Sequence, residues 1–384
     1  MINDKKTIMQ ITGTMNFGGA EVLMMNILRK LHTRFNFIFL INTANGKAIK
    51  GDFDEEILAL GAKIVYCPSV RSVGITKYQK QLTQLLKEYA PDVVHCHLNA
   101  KCGIISKCAH KAGVKKIISH SHAKLKFKGN PIKSGLLYLE LFWQRTMINK
   151  YSTDFWACSK EALGSLYYKK TLKSNRCKVI NNLIDANRFI YPNSEVVERN
   201  KEKYNPNGKF VIGLVGRIAP VKNYIFALEI AKELEDRNKD FLIVLVGLKQ
   251  DKEYSNKFFE TVNLLNLKDN FVYVEPTNDV ENMYAIMDVV LGTSIREGFS
   301  LTAVEAQLSG AYTILSNGYP RPVNLGAGNC ERIDKFDKKL WADKIQDVME
   351  NKVLVSEEER RQGLIKRGFD LDVEVEKIAK EYES

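Results

Sequence analysis

The sequence predicts an α/β protein made of two doubly wound, parallel-sheet domains. Three observations predict it. Short apolar runs alternate with amphipathic stretches along the chain. The alternation breaks once, at the polar stretch Tyr191–Gly208 with its two prolines. The length of 384 residues, 45% apolar and 27% charged, is an ordinary globular composition with room for two or three domains. Repeated strand–helix alternation marks a parallel sheet covered on both faces, because parallel strands need crossover connections.

In the first half, Thr7–Gly13 reads as a short buried strand ending in glycine, followed by a loop with Gly18 and Gly19. Glu21–Leu31 then has helical spacing, with apolar and polar faces. Phe35–Ile41 is a strand, Ile57–Leu60 belongs to a helix and Lys63–Cys67 is a strand. Lys77–Glu88 is an amphipathic helix closed by Pro91, which cannot continue it. Asp92–His97 is a strand, Ala100–Ala112 a helix and Lys116–Ser121 a strand. Gly135–Asn149 is a long, aromatic-rich helix, and Asp154–Ser159 and Cys177–Asn182 are strands.

After the polar break the pattern repeats. Phe210–Val215, Phe241–Val246, Phe271–Val274, Val289–Leu291 and Tyr312–Leu315 are strands. Tyr224–Arg237, Ser255–Leu265, Val280–Met287 and Leu301–Ser309 are the helices between them, and Lys338–Met349 and Val373–Tyr382 follow. The expected division is a first domain over 1–190, a linker over 191–208, a second domain over 209–366 and a terminal segment over 367–384.

Several classes are excluded or disfavoured. The composition is not that of a disordered chain, collagen or a coiled coil. The longest apolar run, about Phe241–Leu248, is far short of the roughly 20 residues of a membrane helix. The opening Met1–Lys6 does not read as a secretory signal. Seven cysteines without a close CxxC pair point to a reducing, cytoplasmic location. Net charge is +12, divided as +18 over residues 1–190 and −6 over 191–384. Val93–Leu139 holds nine lysines and no acid. That asymmetry points to an anionic partner, whether nucleic acid, anionic lipid or a phosphorylated substrate, or else to a solvated lysine face.

Ligands of doubly wound sheets sit beyond the carboxyl ends of the strands, so the strand-to-helix turns are the places to search. The first such turn, Gly13 to Glu21, carries Gly18 and Gly19, where backbone can approach an anion at a helix start. In the second, Gly216 ends a strand and Arg217 and Lys222 follow, an arginine fork and a lysine point charge suited to a diphosphate. In the third, Glu297 and Glu305 flank seven residues. There Gly298 lies in the turn, Ser300 is placed to cap a helix, and the amides of Phe299, Ser300 and Leu301 would face an anion. Glu305 is either a ribose-binding acid or the acid of a capping box with Thr302. The fourth turn holds His120 and His122 at a strand end, suited to a sugar hydroxyl or a charged transition state. His95 and His97 alternate on a strand and read as mainly structural. A metal set of His95, His97, Cys102 and His110 fits no standard spacing.

These motifs resemble glycosyltransferase family 4: GGAE at 18–21, GRIAPVK at 216–222, DVxxxY at 279–284 and EGFSLTAVEA at 297–306. Val179–Asp185 is similar to the strand segment near the end of such first domains. The resemblance covers nearly the whole chain and is strongest to bacterial capsular and exopolysaccharide transferases. It implies the GT-B fold, two Rossmann-like doubly wound domains facing across a cleft, with the C-terminal helix crossing back to the first. It implies a retaining transfer of a sugar from a nucleotide-diphosphate donor, UDP by family habit, to a glycan or lipid-diphosphate-linked acceptor. Arg217 and Lys222 would hold the diphosphate, Glu305 the ribose, and Glu297 with the 298–301 backbone the donor sugar and phosphates. Gly18, Gly19 and Gly216 would line the donor site, and His120 matches the family's active-site histidine, with His122 as the alternative. The family often has Gly-x-Gly where this chain has only Gly247, and Asn223 replaces a frequent glycine.

With two cations in place, the expectation is a metal-independent enzyme without a cofactor. Lysines of 101–143 together with Phe127, Leu136, Leu137, Tyr138, Leu141, Phe142 and Trp143 would meet an anionic inner-membrane surface, unless the aromatic stripe is helix core. Competing readings are a non-catalytic partner keeping the fold and a nucleotide-sugar epimerase. Nucleic-acid binding ranks last, because no groove-reading or aromatic–basic motif accompanies the charge.

Overall fold

A computed structural model describes residues 5–16, 18–125 and 131–384. Lys126, Phe127 and Lys128, three residues of the proposed membrane patch, lie outside the described residues. The chain divides into two compact domains, one of residues 1–183 with 372–384 and one of residues 184–371.

The first domain is a seven-stranded, all-parallel sheet. Its strands are β1 (Thr7–Thr12), β2 (Asn36–Thr43), β3 (Lys63–Pro68), β4 (Val93–Cys96), β5 (Lys116–Ser121), β6 (Asp154–Ala157) and β7 (Cys177–Val179), in the order β3-β2-β1-β4-β5-β6-β7. The strands are near-continuous apolar runs because helices cover both faces. Met9, Ile11, Leu40 and Val94 are buried with residues of the helices Ile75–Tyr89 and Cys102–Ala112. The helix Pro131–Tyr151 packs on Cys102–Ala112, where a Cβ at Gly103 would lie 2.4 Å from the Gln144 carbonyl oxygen. The Gln144 side chain accepts from the Ile104 amide at 3.0 Å.

The second domain repeats the plan with six strands: β8 (Phe210–Val215), β9 (Phe241–Val246), β10 (Phe271–Val274), β11 (Val289–Gly292), β12 (Tyr312–Ser316) and β13 (Cys330–Ile333). Their order is β10-β9-β8-β11-β12-β13, again parallel. Strand order reverses between β1 and β4 in the first sheet and between β8 and β11 in the second. These switch points are where open α/β sheets leave a crevice for a ligand.

Three features differ from the sequence reading. Residues 191–208 are not a free linker: they include the helix Ser194–Tyr204, capped by Asn193, and belong to the second domain. Its charged surface disguises a helix that buries Val197 alone. The division falls at Leu183/Ile184, before the short helix Ala186–Ile190. Finally, β13 and the helix Glu357–Arg367 went unpredicted; the helix is strongly polar, yet it opens with a capping box of Ser356 and Glu359.

The terminal residues 372–384 group with the first domain. Arg34 pairs with Glu376 and Glu383, Lys30 with Asp372, and Lys116 and Lys178 with Glu381. Part of the excess positive charge of the first half is therefore met within the domain. No helix among the described residues is long and apolar enough to cross a membrane.

Candidate active site

In the second domain the loops after β8 and β11, the two strands flanking the switch point, are tied together. The Thr293 hydroxyl donates to the Lys222 carbonyl at 2.8 Å, and the Ile295 amide to the Val221 carbonyl at 2.9 Å. The path out of β8 depends on glycine. Gly216 has φ +135°, a conformation that L side chains rarely adopt. A Cβ at Gly247 would lie 1.8 Å from the Gly216 carbonyl oxygen. The lone glycine at 247 is thus required by packing on Gly216. Asn223 sits at φ 54°, in the left-handed region that glycine and asparagine share, which explains why it can stand where glycine is frequent.

These ties bring Lys222 and Glu297 together. Lys222 Nζ lies 2.8 Å from Glu297 Oε1, and the two side chains are only 11% and 15% exposed. The Ser294 hydroxyl donates to the same Glu297 oxygen at 2.7 Å and lies 3.1 Å from the Tyr319 hydroxyl. The Glu297 amide donates to the Gly318 carbonyl at 2.9 Å. Arg217, by contrast, is exposed and has no ion-pair partner among the described residues.

Directly after Glu297, Gly298 faces open space, with no atom within 4 Å of where a Cβ would stand. The Phe299 ring turns into the core, 4.8 Å from the Phe369 ring, which leaves its backbone as the available part. Ser300 caps the helix Leu301–Ser309, accepting from the Ala303 amide at 3.4 Å. Helix-start amides next to open space form a ready anion site.

Glu305 is not a capping-box acid. Its Oε2 accepts from the Tyr284 hydroxyl at 3.1 Å, so the DVxxxY motif delivers a tyrosine to the acidic motif. Burial pushes the Glu305 carboxyl up to about 7; the Tyr284 bond and Arg188 pull it down, and Glu281 pushes it up. Arg188 itself pairs with Glu281 at 2.7 Å.

In the first domain, Gln10 on β1, His95 on β4, and His120 on β5 share one sheet face, with Trp156 of β6 beside them. His95 Nδ1 lies 2.8 Å from the Tyr382 hydroxyl, and His95 Nε2 lies 3.1 Å from His120 Nδ1. His97 bridges Gln10 Oε1 at 2.7 Å and His122 Nε2 at 2.8 Å. Burial holds His95, His97 and His120 well below the ordinary imidazole range and His122 down to about 4. All four rings are therefore neutral near pH 7. His120 Nε2 is buried with no hydrogen-bond partner among the described residues. Gly18 and Gly19 both lack positive φ; Gly18 is the N-cap of the helix Gly19–Leu31, and a Cβ there would meet the Glu21 carboxylate.

The histidine pair read as mainly structural is thus wired to His120. The conceived metal set does not assemble. Cys102 Sγ donates to the Cys96 carbonyl at 3.3 Å, and the His110 ring lies against Tyr151 at 5.3 Å. His95, His97 and His120 do bring nitrogens within 4.8 Å of one another. An ion there would have to displace the His95–His120 bond, so the donor set suits a hydrogen-bond network better. Sequence reasoning missed Ser294, Tyr319 and Gly318 around Glu297, and Gln10 and Tyr382 around the histidines. Their only signal was position, since no residue type announces such contacts.

The fold and the switch-point site define a GT-B glycosyltransferase. The structure of Anabaena HepE in complex with UDP matches with a TM-score of 0.77 over 98% of this chain and 99% of that one, at 16% identity. The chain belongs to glycosyltransferase family 4: residues 17–188 match the Glycosyltransferase Family 4 model, and residues 196–370 match Glycosyl transferases group 1. It is 28% identical over 352 residues to the putative glycosyltransferase EpsF of Bacillus subtilis, covering 90% of this chain and 88% of that one. It is also 28% identical over 330 residues, 80% of each chain, to the Escherichia coli UDP-Gal:alpha-D-GlcNAc-diphosphoundecaprenol alpha-1,3-galactosyltransferase. The protein is a glycosyltransferase of the bacterial polysaccharide-building kind.

Proposed function

We propose that this enzyme transfers a sugar from a UDP-sugar to a lipid-diphosphate-linked acceptor, with retention at the anomeric carbon. The observation that carries the donor half is the meeting of Lys222, Glu297 and the free start of the helix Leu301–Ser309 beside open space at Gly298. Breaking the anomeric C–O bond leaves positive charge on the sugar and added negative charge on the departing diphosphate. Fixed cations and helix amides match that second charge without reorganising. Lys222 and Arg217 take the diphosphate, Arg217 with its guanidinium uncommitted. Glu297 and the backbone of 298–301 take the donor sugar, Glu305 takes the ribose, and Gly216 lets the backbone pass close. In the first domain His120 offers its unpartnered ring nitrogen to a substrate oxygen, and Gly18 and Gly19 start a helix near the substrates. Arg217 and Lys222 supply the neutralising charge, so this reading needs neither metal nor cofactor. Support for the nucleotide and the acceptor comes from HepE, solved with UDP, and from the E. coli relative, whose acceptor is a diphosphoundecaprenol-linked sugar.

A panel of nucleotide sugars tests this. One UDP-sugar should raise the melting temperature and be turned over in the presence of a chelator. Arg217→Ala should lose the stabilisation. No response to any nucleotide sugar would return the protein to the non-catalytic reading, and interconversion of the donor without an acceptor would make it an epimerase.

The acceptor half draws on the helix Pro131–Tyr151. Leu136, Leu137, Tyr138, Leu139, Phe142 and Trp143 are 40–65% exposed, an unusual run for a water-facing helix. Leu141 departs from the expected patch; it is buried in the core with Met147 and Ile148. In this reading the exposed residues rest on the cytoplasmic face of the membrane, beside a strongly basic segment. Replacing Leu136, Leu139 and Phe142 by serine should reduce sedimentation with anionic liposomes at least tenfold and leave thermal stability unchanged, because all three are solvent-facing. Equal liposome binding by this variant would remove the membrane from the account.

A further inference from the structure

We propose that Tyr382 is a positioning residue that fixes the tautomer of His120 through His95. The histidines are neutral, so each ring has one N–H and one lone pair, and every bond in the network has a direction. The Gln10 amide nitrogen donates to the Tyr382 oxygen at 3.1 Å. The Gln10 carbonyl oxygen therefore faces His97 and accepts from His97 Nε2–H. The Tyr382 hydroxyl, having accepted from Gln10, donates its own proton to His95 Nδ1. His95 then carries its hydrogen on Nε2 and donates to His120 Nδ1. One form is left to His120: a lone pair on Nδ1 and the hydrogen on Nε2, the atom without a partner.

The order is all-or-none. Turning the Gln10 amide over would reverse each step and place the His120 hydrogen on Nδ1. Packing holds the relay in place. Gln10, His95 and His120 are fully buried, the His95 and His120 rings are nearly coplanar at 2°, and Trp156 stands edge-on to His95 at 4.9 Å. The Tyr382 ring is held by Phe35, edge-on at 5.8 Å, and its helix by the Arg34 ion pairs to Glu376 and Glu383. Tyr382 thus decides whether His120 presents a donor or an acceptor. A buried donor left unpaired costs free energy and is relieved when a ligand oxygen arrives. That this N–H serves sugar transfer rests on the function proposed above; the tautomer itself does not.

Imidazole 15N shifts of the histidine-labelled full-length protein read the tautomer directly. Wild type should show His120 as a single Nε2–H form. Tyr382→Phe keeps the ring and removes the proton donor, so His120 should become a mixture of both forms. Gln10→Glu provides an acceptor for the tyrosine proton, takes it away from His95 and should convert His120 to the Nδ1–H form. Turnover of Gln10→Glu should then fall by roughly 10²- to 10³-fold, the cost of losing one positioned donor. An Nδ1–H form in wild type, or a His120 spectrum unmoved in both variants, overturns the relay. Should the spectra shift as stated while turnover stays put, the relay stands and the working role given to His120 is what fails.

Discussion

Lys222→Ala is expected to lower kcat/KM for the donor by roughly 10²- to 10³-fold, equivalent to about 2.7–4 kcal/mol of lost transition-state stabilisation. The size follows from where the charge sits. Lys222 is mostly covered and held at the switch point by bonds from the β11 loop, so it need not be recruited when the leaving diphosphate forms. The alternative is that its partner, Glu297, makes the ion pair a device that only holds two loops together. A double-mutant cycle separates the alternatives. Lys222→Ala alone leaves the Glu297 carboxylate, among the described residues, with the Ser294 hydroxyl and should cost about 1–3 kcal/mol of folding stability. Adding Glu297→Gln removes the stranded charge and should restore much of that stability. Activity should not return with it, because the cation proposed for the diphosphate and the carboxylate proposed for the sugar are then both missing. Recovery of activity in step with melting temperature would mark the pair as structural.

The same site shows what could be read in the chain and what could not. Arg217, Lys222, Glu297 and Glu305 stand out as candidates because residue type and position relative to a strand end coincide, and of these the structure joins Lys222 to Glu297. The strands themselves were legible as apolar runs such as Phe241–Val246, which is buried at every position. Contacts between distant turns were not legible. Nothing in the string places Lys222 on Glu297 or Tyr284 on Glu305, because those bonds depend on which elements become neighbours. The helix Ser194–Tyr204 was hidden for another reason: a segment that buries one residue has almost no hydrophobic periodicity to detect. Tyr382 looks from sequence like any apolar residue of an amphipathic helix. Its hydroxyl acquires a task only when that helix closes over β1 and β4 and meets His95.

Donor binding is expected to tighten with rising pH up to about 7 and then level off, with Glu305 as the group responsible. Burial raises its carboxyl from the ordinary 4.5 to about 7 in the free protein. Ribose hydroxyls donate to a carboxylate better than to a carboxylic acid, so the ionised form is the one that binds. Well below pH 7 the affinity should change by about tenfold per pH unit, the slope for one proton released on binding. Folding responds with the opposite sign. A carboxyl raised in the folded state favours that state below its ordinary value, and the advantage is lost as pH climbs through about 7. The free protein should therefore lose on the order of 1–3 kcal/mol between pH 4.5 and 7 from this group. Burial lowers His95, His97, His120 and His122 in the folded protein, so they add a folding slope of the opposite sign over the same range, and the share of Glu305 is read as the difference between wild type and Glu305→Gln. A UDP-sugar is the right probe, because its doubly esterified diphosphate has no proton to lose near neutrality. Calorimetry in two buffers of different ionisation enthalpy should detect one proton released near pH 6. Glu305→Gln should flatten the binding profile and remove the Glu305 share from the folding profile. A binding slope that persists in this variant would assign the proton elsewhere and remove Glu305 from the ribose.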